Sequence, residues 1–333
     1  MTRDTLPGTL PDGHSVQRIT LDNGTLRVAV LDFGAALYDV RHASHPDLPL
    51  VLSPSRADAY DGPFLNFGTI MGPVANRIRG AEAEIDGQTY GFDANQAGRH
   101  SLHSGAAGVN RKIWTIDNTT PDSVTLSIDL PDGEGGYPGN RRITSTYRLD
   151  GDTLVHDQTA ATDHTTLMNL AHHGYWTMQP PTGWGGQELT IGADHYTPTD
   201  ADVIPTGEIA SVENTPFDFR QPVTLQPAKL PNIDHNFCLN GDGPALRLSS
   251  PATGLALEIT TDAPGLQIFG FHAFETDPSI ETLHGHPYAR HAALAIEPQR
   301  WPDAPGRPDW PDITLRPGET FSQTARYQIT TDG

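Results

Sequence analysis

Ser123-Val-Thr-Leu-Ser-Ile-Asp-Leu130, Arg141-Arg-Ile-Thr-Ser-Thr-Tyr-Arg-Leu149 and Leu154-Val-His-Asp-Gln-Thr-Ala-Ala161 follow one another with only turn residues between them. Apolar residues recur at every second position, as on a strand with one face buried. Asp150-Gly151 stands between the last two runs and supplies the positive φ angles that a tight hairpin requires. Outward from this centre the same grammar repeats. His14–Leu21 and Leu26–Leu31 are joined by Asp22-Asn-Gly24, and Glu82–Tyr90 carries Asp86-Gly87 at its middle. Towards the other end lie Glu188–Ile191, Leu255–Thr261, Leu266–Phe271, Ala292–Glu297 and Phe321–Thr330. Many short strands separated by turn residues predict an all-β protein, a large antiparallel β-sandwich or barrel. Helical periodicity is scarce, because 33 glycines and 29 prolines interrupt almost every window of helical length. No repeat or shift of composition marks a boundary, so residues 1–333 are expected to form one domain.

The charge balance narrows the partner. Twenty-one basic and 41 acidic residues leave a net charge of −20. Nucleic-acid binding needs a basic footprint, and none is visible. An anionic membrane would repel this chain, and no stretch approaches the roughly 18 apolar residues of a membrane span. Cys238 is the single cysteine, so no disulfide forms within the chain. With no apolar signal core at the start, these features predict a cytoplasmic protein acting on a neutral small molecule.

Four segments place polar chemistry on strands or strand ends. They are Val74-Ala-Asn-Arg-Ile78, Ser101-Leu-His103, Asn169-Leu-Ala-His-His-Gly-Tyr-Trp176 and Ala295-Ile-Glu-Pro-Gln-Arg-Trp-Pro-Asp303. Strand alternation would send Asn76 and Arg77 to opposite faces. It would also put His173 and Tyr175 on one face, with His172 and Gly174 on the other. Glu297 interrupts an apolar run, and a buried carboxylate needs a partner or a task. His284-Gly-His286 lacks the cysteine or acidic set of a metal site, and no metal is expected there.

In this order the segments resemble the aldose 1-epimerase (galactose mutarotase-like) family. The resemblance also rests on Asn95, Trp114, Tyr196-Thr-Pro-Thr-Asp200, Ile204-Pro-Thr-Gly-Glu208, Thr215-Pro-Phe-Asp-Phe-Arg220, Asp234-His-Asn-Phe237 and Leu315-Arg-Pro-Gly-Glu319. It spans almost the whole chain and implies a β-supersandwich with a sugar cleft on its concave face. It implies Glu297 as general base and His173 as general acid. His103, Arg77, Asp234 and Tyr175 match substrate-contacting positions, and Asn76 and Gln299 sit beside them. No cofactor is implied. The expected partner is a monosaccharide, and the expected assembly a monomer or homodimer.

The residue types suit the chemistry. Exchanging the anomers of a cyclic aldose needs one base at the C1 hydroxyl and one acid at the ring oxygen, without nucleophile or metal. A non-catalytic sugar-binding module would not need Glu297 and His173 together. A glycoside-cleaving enzyme would need two carboxylates flanking the bond, and Glu297 with Asp234 is the one attractive pair. The sequence departs from the family at Gly72-Pro73, Leu102-His-Ser-Gly105, His172-His-Gly-Tyr-Trp176 and Glu297-Pro-Gln299. These changes touch the pocket rim, so they bear on which sugar is bound.

Overall fold

The computed structural model describes residues 1–180, 183–241, 243–272 and 275–331. Strands dominate them, and the helical content is confined to short 3-10 turns. The three runs quoted first form consecutive antiparallel partners, with Leu130 opposite Arg141 and Asp150 opposite Thr153. The second hairpin closes through Gly151-Asp152, with Gly151 at φ 61°, one residue later than Asp150-Gly151 suggested. At Asp86-Gly87 both residues take positive φ, 50° and 78°, as a primed two-residue turn demands.

These strands belong to a nine-stranded sheet. Its spatial order is Thr115–Thr119, Ser123–Leu130, Arg141–Asp150, Thr153–Thr162, Phe321–Thr331, Leu255–Thr261, Leu246–Ser249, Glu188–Ile191 and Val223–Thr224. A six-stranded sheet runs Gly174–Trp176, Leu294–Gln299, Gly265–Phe269, Asp234–Leu239, Ala193–Thr197 and Ala210–Ser211. Trp176, Phe237, Leu266, Ile268, Leu294 and Ile296 from the smaller sheet join Leu126, Tyr147, Leu154, Leu257 and Tyr327 from the larger in one core. Period-two alternation therefore leaves the opposite face of the six-stranded sheet for polar side chains.

Two predicted strands end elsewhere, for local reasons. Leu266–Phe271 stops at Phe269, because Phe271 adopts φ 50°. Ala292–Glu297 is displaced to Leu294–Gln299 and contains Pro298. The Gly174–Trp176 strand pairs only with Leu294–Ile296, so on that side no partner meets Pro298. A four-stranded sheet, from Thr2–Thr5 to Leu37–His42, lies at the N-terminal end. Its Leu31 and Tyr38, with Phe33 from the connection between them, pack in a second cluster with Phe67, Tyr175, Phe271 and Tyr288.

Candidate active site

His173 lies between the short strands Ala171–His172 and Gly174–Trp176. Its N–H donates to the Thr69 carbonyl at 3.0 Å, and its carbonyl accepts from the Gly68 N–H at 2.9 Å. The backbone thus fixes the direction of the ring. His172 points the other way, into the core among the rings of Tyr147, His156 and Tyr327. Burial holds the His172 imidazole down at about 3, so it stays neutral. Gly174 keeps the two directions compatible. A Cβ there would lie 2.5 Å from His172 Cε1 and 2.8 Å from Trp176 Nε1.

His173 faces Glu297, with Nε2 3.5 Å from Oε1. Both are almost fully buried, Glu297 being 2% exposed and His173 5%. Glu297 Oε2 and His173 Nδ1 have no hydrogen-bond partner among the described residues. Burial pushes the Glu297 carboxyl well above its ordinary range. The Asp234 charge adds to the rise, and the Arg77 guanidinium opposes it. Burial pushes the His173 imidazole down to about 4. In this setting the carboxylate is a stronger base, and the imidazolium a stronger acid, than either is in water.

Arg77 opens the strand Arg77–Ile78, and Asn76 before it takes φ 62°. The left-handed residue cancels the alternation expected for the pair. Asn76 Oδ1 instead accepts from the Arg77 N–H at 2.9 Å and from Arg77 Nη1 at 3.3 Å, so the two side chains meet. Arg77 Nε donates to Gln96 Oε1 at 2.8 Å, and Nη2 lies 3.5 Å from Asp234 Oδ2. Asp234 Oδ1 accepts from Gln267 Nε2 at 2.6 Å. Gln267 stands directly opposite Glu297 on the neighbouring strand.

His103 joins from the loop after Ser101–Leu102, again at positive φ, 52°. The Asn76 N–H donates to its Nδ1 at 3.0 Å, which places the proton of the neutral ring on Nε2. Burial, with His173 and Arg77 nearby, holds its imidazole well below the usual value. His103 therefore offers a fixed N–H donor, 5.6 Å between ring centroids from His173. Tyr175 packs its ring 4.9 Å from that of His173 and 4.4 Å from that of Phe67.

Contacts link Glu297, His173, His103, Arg77, Asn76, Asp234 and Tyr175 into one cluster over the polar face of the six-stranded sheet. Gln299 lies two residues beyond Glu297 on the same face and is fully buried. Asn95 is not a cleft residue. Its amide clamps both backbone groups of Leu102 and so holds the His103 loop. Asp303 braces Arg77 from behind, its N–H donating to the Arg77 carbonyl and its Oδ1 accepting from the Arg79 N–H. Gln96 and Gln267 escaped sequence reasoning. Gln267 left a trace, a lone amide in the apolar run Gly265-Leu-Gln-Ile-Phe269, whereas Gln96 left none. His284 engages both ring nitrogens with protein groups, the Tyr288 hydroxyl and the Pro49 carbonyl.

Comparison with known proteins agrees with this arrangement. The family model described as aldose 1-epimerase matches residues 17–328. Galactose mutarotase from Homo sapiens is 34% identical over 97% of this chain and 96% of its own length. Aldose 1-epimerase from Escherichia coli K12 is 32% identical over 97% and 98%. The crystal structure of a GalM/aldose epimerase homologue from C. elegans superposes with a TM-score of 0.89 at 28% identity, covering 95% of this chain and 99% of that one. Galactose 1-epimerase from Lactobacillus acidophilus gives 0.86 at 25% identity, with both chains covered in full. Fold, cleft and full-length similarity agree, and the chain belongs to the aldose 1-epimerase family.

Proposed function

We propose that the protein interconverts the α and β anomers of a free aldose, with Glu297 as base and His173 as acid. The observation that carries this reading is the 3.5 Å approach of Glu297 Oε1 to His173 Nε2 in a buried cleft. In the sugar, O1 and the ring oxygen O5 are bonded to the same carbon, so the base and acid that serve them must be near neighbours. Glu297 takes the O1 proton as the O1–C1 bond becomes a carbonyl. The C1–O5 bond breaks, its electron pair goes to O5, and O5 takes a proton from His173. Rotation about C1–C2 presents the other carbonyl face. O5 then attacks C1 and returns its proton to His173, while O1 recovers a proton from Glu297. The pair ends as it began, which a freely reversible isomerisation requires.

Arg77, Asp234 and the His103 N–H would orient the ring hydroxyls by charge-assisted and neutral hydrogen bonds. Asn76 and Gln267 hold Arg77 and Asp234 in place. Asp234 is engaged by Arg77 and Gln267 and belongs with hydroxyl binding, which argues against a two-carboxylate glycosidase. The substrate is read as a neutral hexose, galactose or glucose. Arg77 is the cation at the cleft centre and already faces Asp234, so a sugar phosphate would meet little free positive charge. The relatives named galactose mutarotase support galactose. Residues 1–333 are read as one domain, supported by a core cluster that runs from Ile19 to Ile329. No helix among the described residues is long and apolar enough to cross a membrane. The reading includes a cytoplasmic setting, supported by a buried lone cysteine, and a monomer or homodimer.

An NMR anomer-exchange screen of free sugars beside glucose 6-phosphate and galactose 6-phosphate tests the assignment. Fastest exchange is expected on galactose or glucose, with no new reducing ends from glycosides. Faster exchange on a phosphorylated sugar than on every free aldose would overturn the substrate class. Sugar binding without exchange would overturn the activity.

A further inference from the structure

Beside the catalytic pair, on the same face, the six-stranded sheet carries a second group of polar side chains. Thr197, Asn236, Gln267 and Glu297 stand directly opposite one another on four adjacent strands. Directly paired residues share a face, and so does Gln299, two residues beyond Glu297. Thr197 and Gln299 are fully buried and Asn236 is 1% exposed. Both amide atoms of Asn236, both amide atoms of Gln299, Thr197 Oγ1 and Glu297 Oε2 have no hydrogen-bond partner among the described residues. Six such atoms in two neighbouring rows of one face are unusual, since buried polar groups are nearly always satisfied.

The spacing indicates what satisfies them. Asn236 and Glu297 are two strands apart, about 9–10 Å, with Gln267 between them, and Gln299 lies about 7 Å from Glu297 along the same strand. Side chains at that spacing that do not reach one another are bridged by water, and amides and a hydroxyl supply the donors and acceptors it needs. The group is also roofed. Gly265 lies between the Asn236 and Gln299 strands, and a Cβ there would be 2.5 Å from Asn236 Oδ1 and 2.7 Å from Trp301 Cδ1. Trp301 and the Asn236 amide therefore meet over the bare Gly265 backbone. The Trp301 N–H donates to the Pro264 carbonyl at 3.0 Å and fixes the indole.

We propose that Thr197, Asn236 and Gln299 line a closed hydration pocket under Trp301, whose ordered water hydrogen-bonds Glu297 Oε2 and keeps the carboxylate solvated and aimed. Thr197, Asn236 and Gln299 are then positioning residues that act through Glu297. The proposal rests on the reading of Glu297 as the base. The ionisable groups around Glu297 are Tyr175 on the adjacent strand and His173 just before it, Asp234 two strands away on the same sheet with Arg77 against it, His103 beyond His173, and Tyr327 behind the sheet. His173 approaches Oε1, and no side chain among them bonds Oε2. A buried carboxylate that must ionise in every turnover needs a donor at that oxygen, and pocket water supplies it.

Asn236→Leu and Gln299→Met remove the water's partners at similar volume. Each should lower the plateau of kcat/KM about tenfold and move its alkaline limb up by about one pH unit, since the unsolvated carboxylate holds its proton more tightly. KM for galactose should stay unchanged, because on this reading both side chains act through Glu297. Asn236→Ser, which keeps a hydroxyl, should restore most of the loss. If the larger substitutions fail to fold, Thr197→Val should give the same shifts in smaller measure. A high-resolution crystal structure of the unmodified protein should show water within hydrogen-bond distance of Glu297 Oε2 and an Asn236 or Gln299 amide. A dry pocket with the amides bonded to each other overturns the proposal, as does an unmoved alkaline limb or a raised KM. Glu297→Gln separates the two readings. Retained turnover in that variant removes the base assignment itself. Lost turnover with an unmoved limb in the pocket variants removes the pocket alone.

Discussion

Glu297 and His173 are competent only while they share one proton. Carboxylate with imidazolium and carboxylic acid with imidazole are the two forms of that state, and proton transfers to and from the sugar convert one into the other. Burial raises Glu297 and lowers His173 to about 4, so the shared-proton state spans a wide pH range. Below about 4 a second proton settles on His173 and both groups are acids. Above the raised Glu297 value the last proton leaves and no acid remains. The kcat/KM profile is therefore expected to be bell-shaped, with a flat neutral region and an acidic limb near 4. An acidic limb near the usual histidine value would contradict the assignment. Glu297→Gln keeps shape but accepts no proton, and should lose about 10²–10⁴-fold in kcat with little change in galactose binding. His173→Asn should show a comparable loss. His172→Asn should instead lower the melting temperature and spare the turnover of the folded fraction, because His172 packs in the core as a neutral ring. A larger kinetic loss at His172 than at His173 would reverse the roles.

At the level of strands and loops, the cleft depends on places where regular structure stops. Alternation in Ala171–Trp176 was legible in the sequence, because a one-residue step reverses the face and the core must take apolar and neutral rings. The Glu297 strand was legible too, as a carboxylate inside an apolar run. Asn76 and His103 were identified as site residues, yet their backbones were not foreseeable. Asn76 at φ 62° and His103 at φ 52° are held by each other's groups, through the Asn76 N–H and His103 Nδ1, a contact 27 residues apart. Local sequence carries no record of such a contact. Gln96 illustrates the same limit, since only the fold reveals that it links two loops. Its Oε1 accepts from Arg77 Nε, and its Nε2 donates to the Asp202 carbonyl. Gln96→Ala should free Arg77 to swing and raise KM for galactose roughly tenfold, with kcat less affected. Gln96→Glu, which keeps the acceptor, should restore KM. An unchanged KM in Gln96→Ala would show that Asn76 and Asp234 suffice to hold the guanidinium.

Across the whole molecule, the strand Phe321–Thr331 joins what would otherwise be two half-sheets. On one side it pairs with Thr153–Thr162 and on the other with Leu255–Thr261. Phe321, Ala325, Tyr327 and Ile329 enter the core, and Gln323 donates to the Pro298 carbonyl in the catalytic strand. A chain ending at Thr320 should show no cooperative urea transition and no anomer exchange, since it loses a central strand. A sharp transition in that variant would mean that the two half-sheets are stable without their seam. The placement of this strand also orders events in time. During synthesis it emerges after both strands that it joins, so their facing edges stay unpaired until these eleven residues leave the ribosome. The nascent protein is thus most prone to sticking to its neighbours just before this strand emerges. A pause in translation ahead of Phe321 should therefore lower the soluble yield more than an equal pause ahead of an outer strand.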